Sequence, residues 1–151
     1  PRPSPRWGAR PQAPPPHASR TRALSHTMPQ AAILYAEDNP AVRLAVRDLL
    51  ESEGFRVEAC ADGRAALRRI EGREDYALLL LDDELPGPSG IELTRRARAL
   101  AHRRRTPVVI ISASEVGREA RRAGADAFLK KPEGINRVVA TVAGLLKGRE
   151  S

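Results

Sequence analysis

An open, parallel α/β sheet is the fold class this sequence predicts, and three observations carry it. Short apolar runs alternate with helical periodicity five times between Ala31 and Gly148. One run, Leu78-Leu79-Leu80-Leu81, has no polar alternation at all, as expected for a central strand buried on both faces. Acids, a hydroxyl and a lysine recur just after the runs rather than within them. Strands alternating with helices imply right-handed βαβ crossovers and helices on both faces of the sheet.

The elements follow in order. AAILYA (31–36) is apolar and stops at Glu37-Asp38, a buried strand. Asn39-Pro40 supplies an N-cap and a first-turn proline, and Val42, Ala45, Val46, Leu49 and Leu50 form the stripe of the helix they open. Gly54 ends it, and FRVEAC (55–60) alternates as a strand. Asp62-Gly63 starts a second helix with Ala66, Leu67 and Ile70 inward, and YALLLL (76–81) is the third strand. Another helix begins near Ser89, with Ile91, Leu93, Ala97 and Leu100 inward. PVVIIS (107–112) is the fourth strand, Val116–Ala123 a short helix and AFL (127–129) the fifth strand. Ile135, Val138, Val139, Val142, Leu145 and Leu146 recur at helical spacing in a last helix.

Residues 1–28 read differently. They are rich in Pro, Arg and Ala without periodicity, and are expected to be a disordered tail ahead of a folded domain at 29–149. A polyproline II ligand or a nucleic-acid arm is the alternative for this tail. The sole methionine, Met28, stands where the regular pattern is about to begin and is a candidate translation start. Of the 26 basic residues behind the net charge of +7, five lie in this tail with no acid. The rest of the chain therefore sets 21 basic residues against 19 acidic ones. The positive charge is thus mostly the tail's, and argues little for nucleic-acid binding by the folded part.

Other classes drop out on composition. One cysteine, Cys60, excludes an internal disulfide and a thiolate zinc cluster, and it reads as a small strand residue. No apolar run approaches the ~20 residues of a membrane span, which makes the cytoplasm the expected location. His17, His26 and His102 are scattered and distant from the strand ends, and Arg103-Arg104-Arg105 reads as a solvated loop.

In such sheets, sites form at the carboxyl ends of the strands. Glu37 and Asp38 follow the first strand, Asp82, Asp83 and Glu84 the third, Ser112 ends the fourth and Lys131 follows the fifth. Hard oxygen donors without sulfur or imidazole suit Mg²⁺ rather than zinc. A carboxylate beside Mg²⁺ and a lysine can act as nucleophile toward a phosphoryl group.

The segments Glu37-Asp38-Asn39-Pro40, Asp82 through Gly87 with Gly90, Ser112-Ala113, and Gly124 through Pro132 resemble the receiver domain of two-component response regulators. The resemblance spans about Ala31 to Gly148 and implies the flavodoxin-like strand order 2-1-3-4-5. It implies Asp82 as phosphoacceptor and Glu37, Asp38 and Asp82, with the backbone carbonyl of Glu84, as Mg²⁺ ligands. Ser112 and Lys131 would contact the phosphoryl group, with Ser112 and Phe128 as the switch pair. The implied partners are a sensor histidine kinase or histidine phosphotransfer protein and a downstream protein, with no membrane. A stand-alone receiver acting through protein contacts is the expectation. The rivals are a phosphorylation-independent binding module and a Mg²⁺-dependent phosphohydrolase on a similar sheet.

Three features depart from the family pattern. Asp83 is an acid where an apolar residue is usual, and either faces solvent or adds to the local negative charge. The segment from Ser112 to Gly124 is about one helical turn short, and Glu133 follows Pro132. Of the neighbours Lys130 and Lys131, alternation lets only one face the site, and the Lys-Pro pairing selects Lys131.

Overall fold

The computed structural model describes residues 30–150, so the reading of residues 1–28 as a disordered tail lies outside the described residues. Five strands form one parallel sheet: β1 (Ala32–Ala36), β2 (Arg56–Cys60), β3 (Leu78–Asp82), β4 (Val108–Ser112) and β5 (Ala127–Lys130). Their order is β2-β1-β3-β4-β5, as expected. Between and after them run α1 (Pro40–Ser52), α2 (Gly63–Glu71), α3 (Gly90–Ala99), α4 (Gly117–Ala123) and α5 (Val138–Glu150). A 3₁₀ turn, Glu133–Arg137, carries Ile135 and precedes α5, so the last apolar stripe begins ahead of the helix proper.

Strand alternation divides the core in two. Ile33, Tyr35, Leu78, Leu80, Val109, Ile111 and Leu129 pack with Val46 and Leu50 of α1 and Val138 and Val142 of α5. Leu34, Ala36, Leu79, Leu81, Val108 and Ile110 face Ala66, Ile70, Leu93, Ala97 and Ala120 of α2, α3 and α4. Leu78 to Leu81 are all fully buried, two on each face, which is why the run needs no polar alternation.

The helix starts are written in the chain. Asn39 Oδ1 accepts from the backbone N–H groups of Ala41 and Val42 at 2.9 and 3.1 Å. Asp62 caps α2 through Ala65 N–H and Ser89 caps α3 through Glu92 N–H. Gly87 has φ +81° in the loop after β3, a region where a side chain is strained.

One expectation is corrected. Arg103 is not solvated: it is 2% exposed, while Arg104 and Arg105 are exposed. Its guanidinium donates to the carbonyls of Ile70 at 2.9 Å, Gly72 at 3.1 Å and Arg69 at 3.2 Å, and lies over the Tyr76 ring. It therefore adds donors to the carbonyls at the end of α2, which a charge run cannot reveal. Among the described residues no helix is long and apolar enough to cross a membrane.

Candidate functional site

Glu37 lies two residues past Tyr35, Asp82 two past Leu80, and Lys131 two past Leu129. All three inherit the sheet face of α1 and α5 and meet at its carboxyl edge. Lys131 Nζ donates to Asp82 Oδ2 and to Glu37 Oε1, each at 2.8 Å. The two carboxylate side chains are 1% exposed and the lysine 16%. Lys130 turns outward and pairs with Glu115. The Lys131–Pro132 peptide is cis.

Asp38 is exposed and completes an acid cluster. One carboxylate oxygen from each of Glu37, Asp38 and Asp82 lies within 4.8 Å of the others. The Asp82 pKa is raised on balance to about 6, with burial the largest cause. The Lys131 bond and the Glu84 N–H, 2.9 Å from Oδ1, pull it down, and Glu37 pushes it back up. For Lys131, burial works against the charge, but the bonds to Asp82 and Glu37 outweigh it and raise the pKa. One ammonium thus faces three acids. An all-oxygen donor set with excess negative charge at the solvent edge fits a hard divalent cation that keeps part of its water shell.

Ser112 is fully buried at the end of β4, but its hydroxyl does not reach for Asp82. It donates to Glu84 Oε1 at 2.9 Å, and Ser114 Oγ donates to the same oxygen at 2.9 Å. These two bonds hold the Glu84 carboxyl below its usual range. Asp83, whose direction the sequence left open, accepts from the N–H of Ile91 at 3.0 Å in the first turn of α3. Phe128 is half-buried away from the acids, its ring over Gly117, where an added Cβ would lie 3.1 Å from it.

Sequence reasoning missed two contributors. Arg43, one turn into α1, donates to the carbonyls of Glu37 at 2.8 Å and Asp38 at 3.4 Å and so fixes the acidic segment. The Glu84 side chain was set aside in favour of its carbonyl, yet it is the partner of Ser112. Nothing in the local pattern of either residue signals these bonds, because both are made across loops. His102 bonds Gly72 O, and burial pushes the Cys60 thiol up to about 11, so neither belongs to the site.

A doubly wound parallel sheet carrying an acid cluster and a bonded lysine at its carboxyl edge defines a class: flavodoxin-like domains with a hard-cation pocket at the strand ends. Residues 33–143 match the model of the response regulator receiver domain, and the chain belongs to that family. It is 32% identical over 134 residues to the sensory/regulatory protein RpfC of Xanthomonas campestris, covering 85% of this chain and 17% of RpfC. It is 36% identical to the phosphate regulon regulatory protein PhoB of Rhizobium meliloti, covering 80% of this chain and 53% of PhoB. Among solved structures, the receiver domain of sensor histidine kinase PA1611 from Pseudomonas aeruginosa holds magnesium in its active-site cleft. It superposes with TM-score 0.71 at 32% identity over 79% of this chain and 99% of that one. A CheY-like receiver of Methanospirillum hungatei gives TM-score 0.74 at 29% identity, covering 81% and 98%. The domain is thus a two-component receiver, and it spans a small to middling part of the curated relatives it matches.

Proposed function

We propose that Asp82 accepts a phosphoryl group from a phosphohistidine on a sensor kinase or phosphotransfer protein. The observation that carries this reading is the pair of hydrogen bonds that Lys131 Nζ donates to Asp82 and Glu37, at 2.8 Å each, in an otherwise acidic pocket. The Asp82 carboxylate attacks phosphorus, the P–N bond breaks, and its electron pair leaves with the imidazole nitrogen. Lys131 stays beside the phosphoryl oxygens and offsets their charge. Glu37, Asp38, Asp82 and the Glu84 carbonyl would hold Mg²⁺, which when bound neutralises charge on the same oxygens. The Ser112 hydroxyl leaves Glu84 to donate to the phosphoryl group, and Phe128 follows the space it vacates.

The phosphohydrolase rival needs a second free acid near the nucleophile. Glu84 is the candidate two residues on, but it is occupied by two serine hydroxyls, which favours a receiver. The test is incubation with Mg²⁺ and acetyl phosphate, followed by intact-mass measurement. One added phosphate is expected on the natural chain and none on Asp82→Asn. A label that persists in that variant would move the acceptor elsewhere.

A further inference from the structure

A cavity of about 620 Å³ lies at the amino edge of the sheet, the opposite edge from the acids. Ala31, Phe55, Ala77 and Pro107 line it, and each immediately precedes a strand: β1, β2, β3 and β4 in turn. Leu146 of α5 and Tyr76 extend the apolar wall. The Tyr76 hydroxyl donates to Glu58 and Glu74, so it has no proton to spare for a ligand.

The charged part of the wall is cationic. Arg104 and Arg105 line the cavity and are exposed, and among the described residues neither guanidinium has an ion-pair partner. No acid lines it. Glu58 and Glu74, the acids that Tyr76 bonds, are paired with Arg69 at 3.0 and 3.9 Å. The loop that carries the two arginines is pinned from both sides. His102 Nε2 donates to the Gly72 carbonyl at 2.7 Å, and Arg98 Nη1 donates to the carbonyls of Arg104 at 3.2 Å and Thr106 at 2.7 Å. Cations carried on a fixed backbone lose less freedom when an anion arrives.

Size and charge select the occupant. The volume falls within the range of about 300–1,000 Å³ typical of small-molecule sites. Apolar walls beside two guanidinium groups suit a flat apolar body with one acid group, because guanidinium bonds to an oxyanion are planar and charge-assisted. Residues 1–28, which precede Ala31 in the chain, carry five arginines and no acid, the same sign as the rim, and match it poorly.

We propose that this cavity binds a small aromatic acid, its rings against Phe55, Pro107 and Leu146 and its anionic group at Arg104 and Arg105. The site is separate from Asp82 and does not depend on the role of that residue.

The full chain is titrated with anilinonaphthalene sulfonate, an aromatic anion, and in parallel with phenylnaphthylamine, which lacks the sulfonate. The methyl NMR signals of Ala77 and Leu146 should shift saturably with the anion, while that of Ala36, at the other edge, stays in place. Arg104→Glu combined with Arg105→Glu should weaken the anion about ten- to hundredfold, as expected for one or two charge-assisted bonds. The neutral probe should change by less than about twofold, which also reports that the cavity is intact. Equal anion affinity in the two proteins, an equal loss for both probes, shifts confined to other methyls, or no binding would each overturn the site. Tighter anion binding to Trp7→Ala would overturn it as well, because the cavity would then belong to the chain's own amino-terminal segment.

Discussion

The Ser112 hydroxyl, at the end of β4, donates its only proton to Glu84 Oε1 at 2.9 Å and accepts the N–H of Ser114 at 3.0 Å. A hydroxyl so engaged cannot also donate to a phosphoryl oxygen. Glu84, two residues past Asp82, therefore engages the serine hydroxyl, with Ser114 as a second donor to the same acid.

Glu84→Ala should release that arrangement. The Ser112 bond, worth about 0.5–1.5 kcal/mol, and an adjacent negative charge are both lost. Phosphorylation by acetyl phosphate should quicken about two- to tenfold, followed by intact mass against time. An unchanged or slower rate would show that Glu84 does not restrain Ser112.

Asp82→Asn bears on pH. The folded pKa of Asp82 is raised from 3.8 to about 6, so the folded protein binds the proton more tightly than the unfolded chain. Its stabilising contribution is therefore full below pH ~4 and lost as pH rises to ~6. The loss is on the order of 3 kcal/mol at 1.36 kcal/mol per pKa unit. Metal-free Asp82→Asn should lack this fall. Urea midpoints at pH 4, 5, 6 and 7 would show it, and parallel curves for the two proteins would contradict the raised pKa.

Lys131→Ala strands two carboxylates that are 1% exposed. Removing one member of a buried ion pair destabilises by about 3–5 kcal/mol. Because Asp82 can take a proton, the damage should shrink below pH 6, and millimolar Mg²⁺ should restore part of the midpoint at pH 7.5. A loss that ignores both pH and Mg²⁺ would mean that lost packing, rather than lost charge, is responsible.

Gly90→Ala acts through the backbone. A Cβ there would lie 2.6 Å from the Asp82 carbonyl oxygen and 3.0 Å from its carbon. Either α3 or the end of β3 must shift, at about 1–3 kcal/mol. Stability and acetyl phosphate labelling should fall together. Full labelling in this variant would show that the acceptor tolerates displacement.

Arg103→Ala removes three bonds to the α2 carboxyl end and a ring contact, whereas Arg104 is exposed. A loss of about 2–4 kcal/mol is expected for the first, and less than ~0.5 for Arg104→Ala. Thermal melts of the two variants would separate them, and equal values would undo the buried role of Arg103.

By itself the chain determined the sheet and the membership of the acidic pocket. Periodicity places Glu37, Asp82 and Lys131 at strand ends on one face, and those positions follow from counting residues along a pleat of period two. Caps such as Asn39, Asp62 and Ser89 were legible for the same reason, since each is satisfied within three residues of itself. Only the tertiary structure decided which partners the polar side chains chose. Glu84 with Ser112, Arg43 with the Glu37 carbonyl and Arg103 with the end of α2 are all made across separate segments. Hydrophobic spacing is a local signal repeated along the chain. A hydrogen bond between loops depends on where two backbones come to rest in space, and that is set by the packing of the whole domain.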